Sequence, residues 1–369
     1  MKRILGIVNL HNSPRIEGLN KNRSLASTSF LGRYNFIDFP LSNFSNSDID
    51  KMGVLVKSNL RSLVRHIGLG HWWNDNTKIG KLSIMYNEKT EVEEYNHDIN
   101  NLIENSWVYE DDQIDYVIFA PADILMKFDF NKLVEAHIKN KAAITLMTKK
   151  IEGGKDKYIN KYEVEASEKG RVFSLKKNLG VDDKFELFTE VCIMDKQTML
   201  NLINYSTKIS AYFSLFDTIN YLLEDLVVKT YEFEGDILAF DSLSSYLRNS
   251  LYLIDPTNSA KFITPNWPIY TKTYDTPPAL YKENAKVTHS VVANGAVIDG
   301  KVTNCVIGRN VIIEKGCEIS NSVILSDTHI YPDCKIDHAV IDKTCTVLHV
   351  KYLVGTEERP VFIKKGDII

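Results

Sequence analysis

Cysteine is scarce in this chain and never paired at short range. The five residues, Cys192, Cys305, Cys317, Cys334 and Cys345, form no C-x-x-C motif. That argues against zinc and for buried reduced thiols in a cytoplasmic protein. No apolar run approaches the roughly 20 residues that span a bilayer. The apolar start, residues 1–10, is short and has no small-residue cleavage site. It reads as a buried first strand, not a signal peptide. An excess of one charge sign is also lacking. Lys and Arg number 44 against 48 Asp and Glu, a formal net charge of −4, so nucleic acid and anionic membrane are not expected partners.

The 369 residues exceed one ordinary core and suggest two domains, and 44% hydrophobic with 25% charged residues is a globular composition. Strand and helix candidates alternate along the first part. Residues 4–10, 53–57, 115–120 and 142–148 read as strands. Residues 58–66 and 131–140 read as helices, the first with Ser58 as N-cap. Such alternation predicts an α/β domain, a Rossmann-like and mostly parallel sheet with helices on both faces. Ligands would bind at the carboxyl ends of its strands.

The periodicity then changes. Apolar anchors fall at Val302, Ile307, Ile313, Ile319, Ile324, Ile330, Ile336, Ile341 and Val347, in steps of 5 or 6, and three steps sum to 17. A helix needs a spacing near 3.6 and a half-buried strand needs 2. The pattern fits a parallel β-helix with three short strands per coil; a string of hairpins is the alternative. Cys317 and Cys334 are also 17 apart and are expected to stack on adjacent coils. Pro265, Pro268, Pro277 and Pro278 mark the connection. The expected organisation is residues 1–250 as a nucleotidyltransferase-like domain, 251–284 as linker and 285–369 as a left-handed β-helix.

Three motifs sharpen this reading: Gly32-Arg-Tyr-Asn-Phe-Ile-Asp-Phe-Pro-Leu-Ser-Asn-Phe-Ser-Asn-Ser47, Ala120-Pro-Ala-Asp-Ile-Leu-Met-Lys-Phe-Asp129 and Trp267-Pro-Ile-Tyr270. With the β-helix they resemble the glucose-1-phosphate adenylyltransferase (ADP-glucose pyrophosphorylase) family over nearly the whole chain. Arg23-Ser-Leu-Ala-Ser27 stands where active members carry Arg-Ala-Lys-Pro-Ala. In this the chain is similar to the GlgD-type branch of Firmicutes, which is non-catalytic or weakly catalytic. The resemblance implies a reaction joining glucose 1-phosphate to the α-phosphate of ATP with release of pyrophosphate. It also implies Mg²⁺ on two aspartates, a glycine-rich phosphate loop and two lysines.

This chain departs from each device. After Leu10 it reads His11-Asn-Ser-Pro-Arg-Ile-Glu-Gly-Leu19, with one glycine, and Pro14 removes an N–H donor. The segment is either a remodelled phosphate loop or a surface turn. Leu25 occupies the catalytic lysine's position and can neither donate nor carry charge. Arg23 is a candidate anion ligand or an ion-pair member. Asp123 matches the first metal aspartate, or caps a turn. Ala239 stands at the second, with Asp241 two residues on. Asn178 stands where the sugar-phosphate lysine belongs, beside Lys176 and Lys177, of which strand alternation would aim only one inward. Asp38, Ser42 and Asn43 are candidate substrate or effector contacts, or local caps and turn bonds.

The resemblance and these losses together predict a catalytically impaired regulatory subunit for glycogen synthesis. Its expected partner is a GlgC-type catalytic subunit, in a heterotetramer, with a sugar-phosphate or nucleotide effector. Mg²⁺, expected for the family, is in doubt for this chain. Two alternatives remain: an active nucleotidyltransferase with a rearranged site using Arg23, Asp123 and Asp241, or a stand-alone sensor of sugar phosphate or nucleotide.

Overall fold

The computed structural model describes residues 2–74, 81–88, 96–110, 113–210 and 212–369. Contacts group the chain into two compact units that interleave along the sequence. The first comprises residues 1–13, 39–237 and 268–270; the second comprises 14–38, 238–267 and 271–369.

The first unit is built on a nine-stranded mixed sheet. Its strands are β1 (Ile4–Asn9), β2 (Lys51–Val56), β3 (Lys81–Tyr86), β4 (Tyr116–Ala120), β5 (Ile144–Glu152), β6 (Tyr162–Ala166), β7 (Val172–Lys177), β8 (Lys184–Asp195) and β9 (Val228–Glu232). The order is β7-β6-β8-β4-β1-β2-β3, with β5 pairing both β8 and β9. The run β4-β1-β2-β3 is parallel, as the alternating pattern predicts. β8 runs antiparallel to β4, β5 and β6, a feature that pattern does not announce.

Helices α1 (Asp38–Asn46), α2 (Leu60–Ile67), α3 (Asp98–Glu104), α4 (Phe130–Asn140), α5 (Lys196–Ile209) and α6 (Leu215–Tyr221) accompany the sheet. α5 starts where the Asp195 carboxylate accepts from Thr198 N, and it buries Met199, Leu202, Ile203 and Ser206, the spacing of one helical face. Its apolar members join the core cluster that also holds Leu5, Ile7, Val117, Phe119 and Phe188. Gly6 in β1 lets Phe44 of α1 approach: a Cβ there would lie 2.8 Å from the ring. The expectation for Ser58 is corrected. α2 begins at Leu60, after Asn59 in the left-handed region, and no side chain caps it. A capping serine needs extended backbone immediately before the first turn, and the left-handed Asn59 stands there instead.

In the second unit the 17-residue repeat appears as parallel pairing between coils. Val302 pairs with Ile319 and Ile319 with Ile336. Ile307, Ile324 and Ile341 form the second stack; Ile313, Ile330 and Val347 form the third. All nine anchors belong to one buried cluster. Parallel register excludes the hairpin alternative. The Cys317 and Cys334 Sγ atoms lie 3.3 Å apart, and all five thiols are buried and free. The first strand of the coil is Leu280–Tyr281, paired to Val297 and Ile298.

The N-terminal segment 14–38 packs within this unit. Gly18, at φ +82°, meets the Phe362 ring, and a Cβ on Gly32 would lie 3.1 Å from the Ile307 carbonyl oxygen. Phe30 and Phe36 stack on each other, and Phe240 meets Phe30 edge-on and Phe36 at a tilt. Tyr246, in α7 (Leu243–Tyr252), donates its hydroxyl to the Ser29 carbonyl at 2.7 Å.

Candidate functional site

A parallel sheet concentrates ligand chemistry at the carboxyl ends of its strands, where chain direction changes and backbone groups are free. Here those ends are filled by side chains. Asn9, last in β1, donates to Asp98 Oδ2 at 2.9 Å. The other Asp98 oxygen accepts from Ile99 N and Leu215 N, both at 2.9 Å. Asn101 of α3 donates to the carbonyls of Val56 and Met85 at 3.1 and 3.2 Å, covering β2 and β3. Its amide also meets His11 Nε2 at 3.1 Å. Burial is the main cause that lowers the His11 pKa to about 4; Asp98 opposes it, while Lys57 and His97 add to it. The ring is therefore neutral at neutral pH. It brings bulk but no charge to the segment where the resemblance implies a glycine-rich phosphate loop.

At the end of β4 stands Asp123. Its Oδ2 lies 2.5 Å from Lys161 Nζ, which also reaches Glu190 Oε1 at 2.9 Å. All three side chains are at most 6% exposed. Burial alone would lower the Lys161 pKa, but Asp123 and Glu190 outweigh it and raise it above the usual lysine range. Burial raises the Glu190 pKa, with the Lys161 charge pulling against it. Glu190 lies in a bulge of β8, where pairing to β5 shifts between Phe188 and Cys192, and its φ is +62°. A non-glycine residue in that region is strained. Asp123 is thus an ion-pair member rather than a turn cap.

Asn178 explains how Lys161 is delivered. Its amide donates to the carbonyls of Gly154, Lys157 and Tyr158 at 2.9, 3.0 and 3.2 Å. Its Oδ1 accepts from Gly180 N at 2.7 Å, and its backbone N–H bonds the Lys161 carbonyl at 2.8 Å. The asparagine at the expected lysine position organises the loop that ends in Lys161. Of the two neighbouring lysines, Lys176 is exposed and paired with Glu165. Lys177 lies 3.3 Å from the Tyr162 ring centroid. Burial, with Lys161 adding, lowers its pKa against the pull of Glu190 and Asp217. Sequence reasoning missed Lys161 and Glu190. A signal existed: Glu190 is the one charge inside the run Phe188-Thr-Glu-Val-Cys-Ile-Met194, and a buried charge demands a partner.

The polar residues of the long motif hold backbone. Asp38 Oδ2 accepts from Asn35 N at 2.8 Å. Ser42 Oγ accepts from Tyr270 N at 2.8 Å, and Asn46 donates to the Pro268 carbonyl at 2.9 Å. Trp73 Nε1 donates to the Tyr270 carbonyl at 3.1 Å. Asn43 donates to the Met126 carbonyl at 2.9 Å. Two motifs far apart in sequence, Phe39-Pro-Leu-Ser42 and Trp267-Pro-Ile-Tyr270, therefore meet as a latch.

In the second unit Leu25 is buried in the 3-10 turn Leu25–Ser27, and Glu17 faces solvent. Arg23 Nη1 donates to Asp342 Oδ1 at 2.8 Å, its side chain 11% exposed. Its Nε and Nη2 are buried without a protein partner. Lys343 adjoins: its N–H bonds the same Asp342 oxygen at 2.7 Å. Burial, then Arg23, lower its pKa to about 8. Asp342 thus pairs with the Arg23 guanidinium and also accepts the Lys343 backbone N–H. Asp241 accepts from Ser242 Oγ at 3.1 Å.

The fit to Mg²⁺ is poor. That ion needs near-octahedral oxygen ligation at roughly 2.1 Å. The position between Asp123 and Glu190 already holds an ammonium, and among the described residues no group of three or more His, Cys, Asp or Glu is arranged to hold a metal.

Comparison with known proteins agrees with the fold. Residues 14–164 match the nucleotidyl transferase family, and residues 277–359 match the GlmU-like, C-terminal hexapeptide family. Glycogen biosynthesis protein GlgD of Bacillus subtilis (strain 168) is 26% identical over 356 residues, 95% of this chain and 92% of its own length. Glucose-1-phosphate adenylyltransferase of the same organism is 27% identical over 83% of this chain and 82% of its own length. The Bacillus cereus (strain ATCC 10987 / NRS 248) protein of that name is 25% identical over 89% and 88%. The resemblance read from the motifs is thereby borne out: over most of its length this chain is similar to glucose-1-phosphate adenylyltransferase and GlgD, with a nucleotidyl transferase domain followed by a left-handed hexapeptide β-helix.

Proposed function

We propose that this chain is a regulatory, catalytically impaired subunit of a glucose-1-phosphate adenylyltransferase in cytoplasmic glycogen synthesis. Its partner is a GlgC-type catalytic subunit, joined in a heterotetramer. The observation that carries this reading is that the protein fills its own strand ends. Asn9, Asn101 and a neutral His11 cover β1, β2 and β3, and Lys161 neutralises Asp123. A reacting triphosphate needs close backbone N–H groups and dense positive charge. Neither is supported at these ends.

Arg23 and Lys343 support a role in effector binding. Arg23 retains two buried nitrogens without a protein partner, and such donors favour an anion with several oxygens, as in a sugar phosphate or nucleotide. A partner raises catalytic activity only if it binds the active conformation better, and tenfold activation needs only about 1.4 kcal/mol of such preference.

The test is co-expression with a GlgC-type subunit, sizing, and assay of the complex beside each chain alone. Co-elution, with turnover in the complex above that of the catalytic chain alone and none in this chain alone, is expected. Separate elution with retained sugar-phosphate binding would favour the stand-alone sensor. Turnover by the isolated chain with ATP, Mg²⁺ and glucose 1-phosphate would favour the active enzyme. That last reading lacks support, because the Lys161 ammonium occupies Asp123.

A further inference from the structure

We infer that the Lys161 ammonium is a tethered counter-ion standing where a divalent cation would otherwise be held, so that Asp123 is neutralised without metal. The inference rests on the first unit alone and holds whether or not a partner subunit binds.

Three observations carry it. The ammonium touches one oxygen each of Asp123 and Glu190, at 2.5 and 2.9 Å, bridging two carboxylates as a metal ion would. The local chain is built to put it there. Asn178 ties the Gly154, Lys157 and Tyr158 carbonyls and holds the Lys161 carbonyl through its backbone, while Glu190 adopts a strained φ of +62° inside a bulge. Strain of this kind persists only where the surroundings over-determine it. The local charge is also complete: Lys161 and the nearby Lys177 offset Asp123 and Glu190. A dication added to that set would lie against the Lys161 ammonium. Asp123 Oδ1 remains buried without a protein partner, so withdrawing the lysine would leave two carboxylates with free lone pairs facing one gap.

The full-length chain tests this directly. Mn²⁺ alone is titrated into the wild type, Asp123→Asn, Lys161→Met and the double variant, with bound ion read by electron paramagnetic resonance and melting temperature followed in parallel. The wild type is expected to show no Mn²⁺ binding that Asp123→Asn removes, and no metal-dependent rise in melting temperature. Lys161→Met is expected to bind Mn²⁺ at least about tenfold more tightly than the wild type, to melt higher with the ion, and to lose both gains in the double variant. A merely structural ion pair predicts no such gain. Asp123-dependent Mn²⁺ binding by the wild type, or a folded Lys161→Met variant without the gain, would overturn the inference. Should Lys161→Met fail to fold, the wild type and Asp123→Asn decide: Asp123-dependent binding overturns it. Absence of such binding, with a Lys161→Arg variant that folds and stays insensitive to Mn²⁺, upholds it.

Discussion

His11 is enclosed at the end of β1, and burial holds its pKa near 4. The unfolded chain would titrate near 6.5. As pH falls, the unfolded state therefore takes up the proton first. The stabilisation is fully present above about pH 6.5 and is lost between 6.5 and 4. By pH 5 the loss amounts to roughly 2 kcal/mol. Urea denaturation at pH 7.5 and pH 5 is expected to show this loss in the wild type and a smaller one in His11→Gln; equal losses would refute the assignment. Leu25 makes the opposite kind of point. It is 1% exposed, so restoring a lysine there buries a charge against apolar packing. Leu25→Lys is expected to cost about 3 kcal/mol of stability and to restore no turnover, as urea midpoints and an adenylyltransferase assay would show.

At the scale of elements, the β-helix depends on stacks in which each anchor touches its counterparts one coil above and below. Ile319 lies between Val302 and Ile336. Trimming it leaves a cavity that neighbouring coils, held by parallel ladders, cannot close. Ile319→Ala is expected to cost about 3 kcal/mol, read as a lower urea midpoint. An exposed position on the same strand, as in Glu318→Ala, is expected to change stability by less than about 1 kcal/mol; equal effects would contradict the stacking. The segment 14–38 behaves as an element of the coil's unit. The Arg23–Asp342 pair closes a separation of 319 residues, and the Phe30, Phe36 and Phe240 rings meet within the same unit. Local pattern could not announce this, because the segment has no regular period of its own.

For the whole molecule, the chain passes repeatedly between its two units, so sequence order and spatial grouping differ. That interleaving explains an asymmetry in what could be read. The parallel strands, the coil and its 17-residue repeat were legible, since each follows from the spacing of apolar residues. Legible too was that the loop after Leu10 holds one glycine and that Leu25 and Asn178 are not the lysines the resemblance implies. What replaced that chemistry was not. Lys161, Glu190 and Asp123 come from three separated segments, and His11, Asp98 and Asn101 from two, so no spacing joins them. Asn178 looked like a loss and is a hub for the loop that supplies Lys161.

Taken by itself, the order of residues determined the two architectures and showed that the glycines and lysines the resemblance implies are not in place, because periodicity and side-chain type are local properties. Only the folded chain decided where the compensating charges went. A buried carboxylate is neutralised by whatever cation the tertiary structure brings within about 3 Å, and here that cation is a lysine 38 residues away.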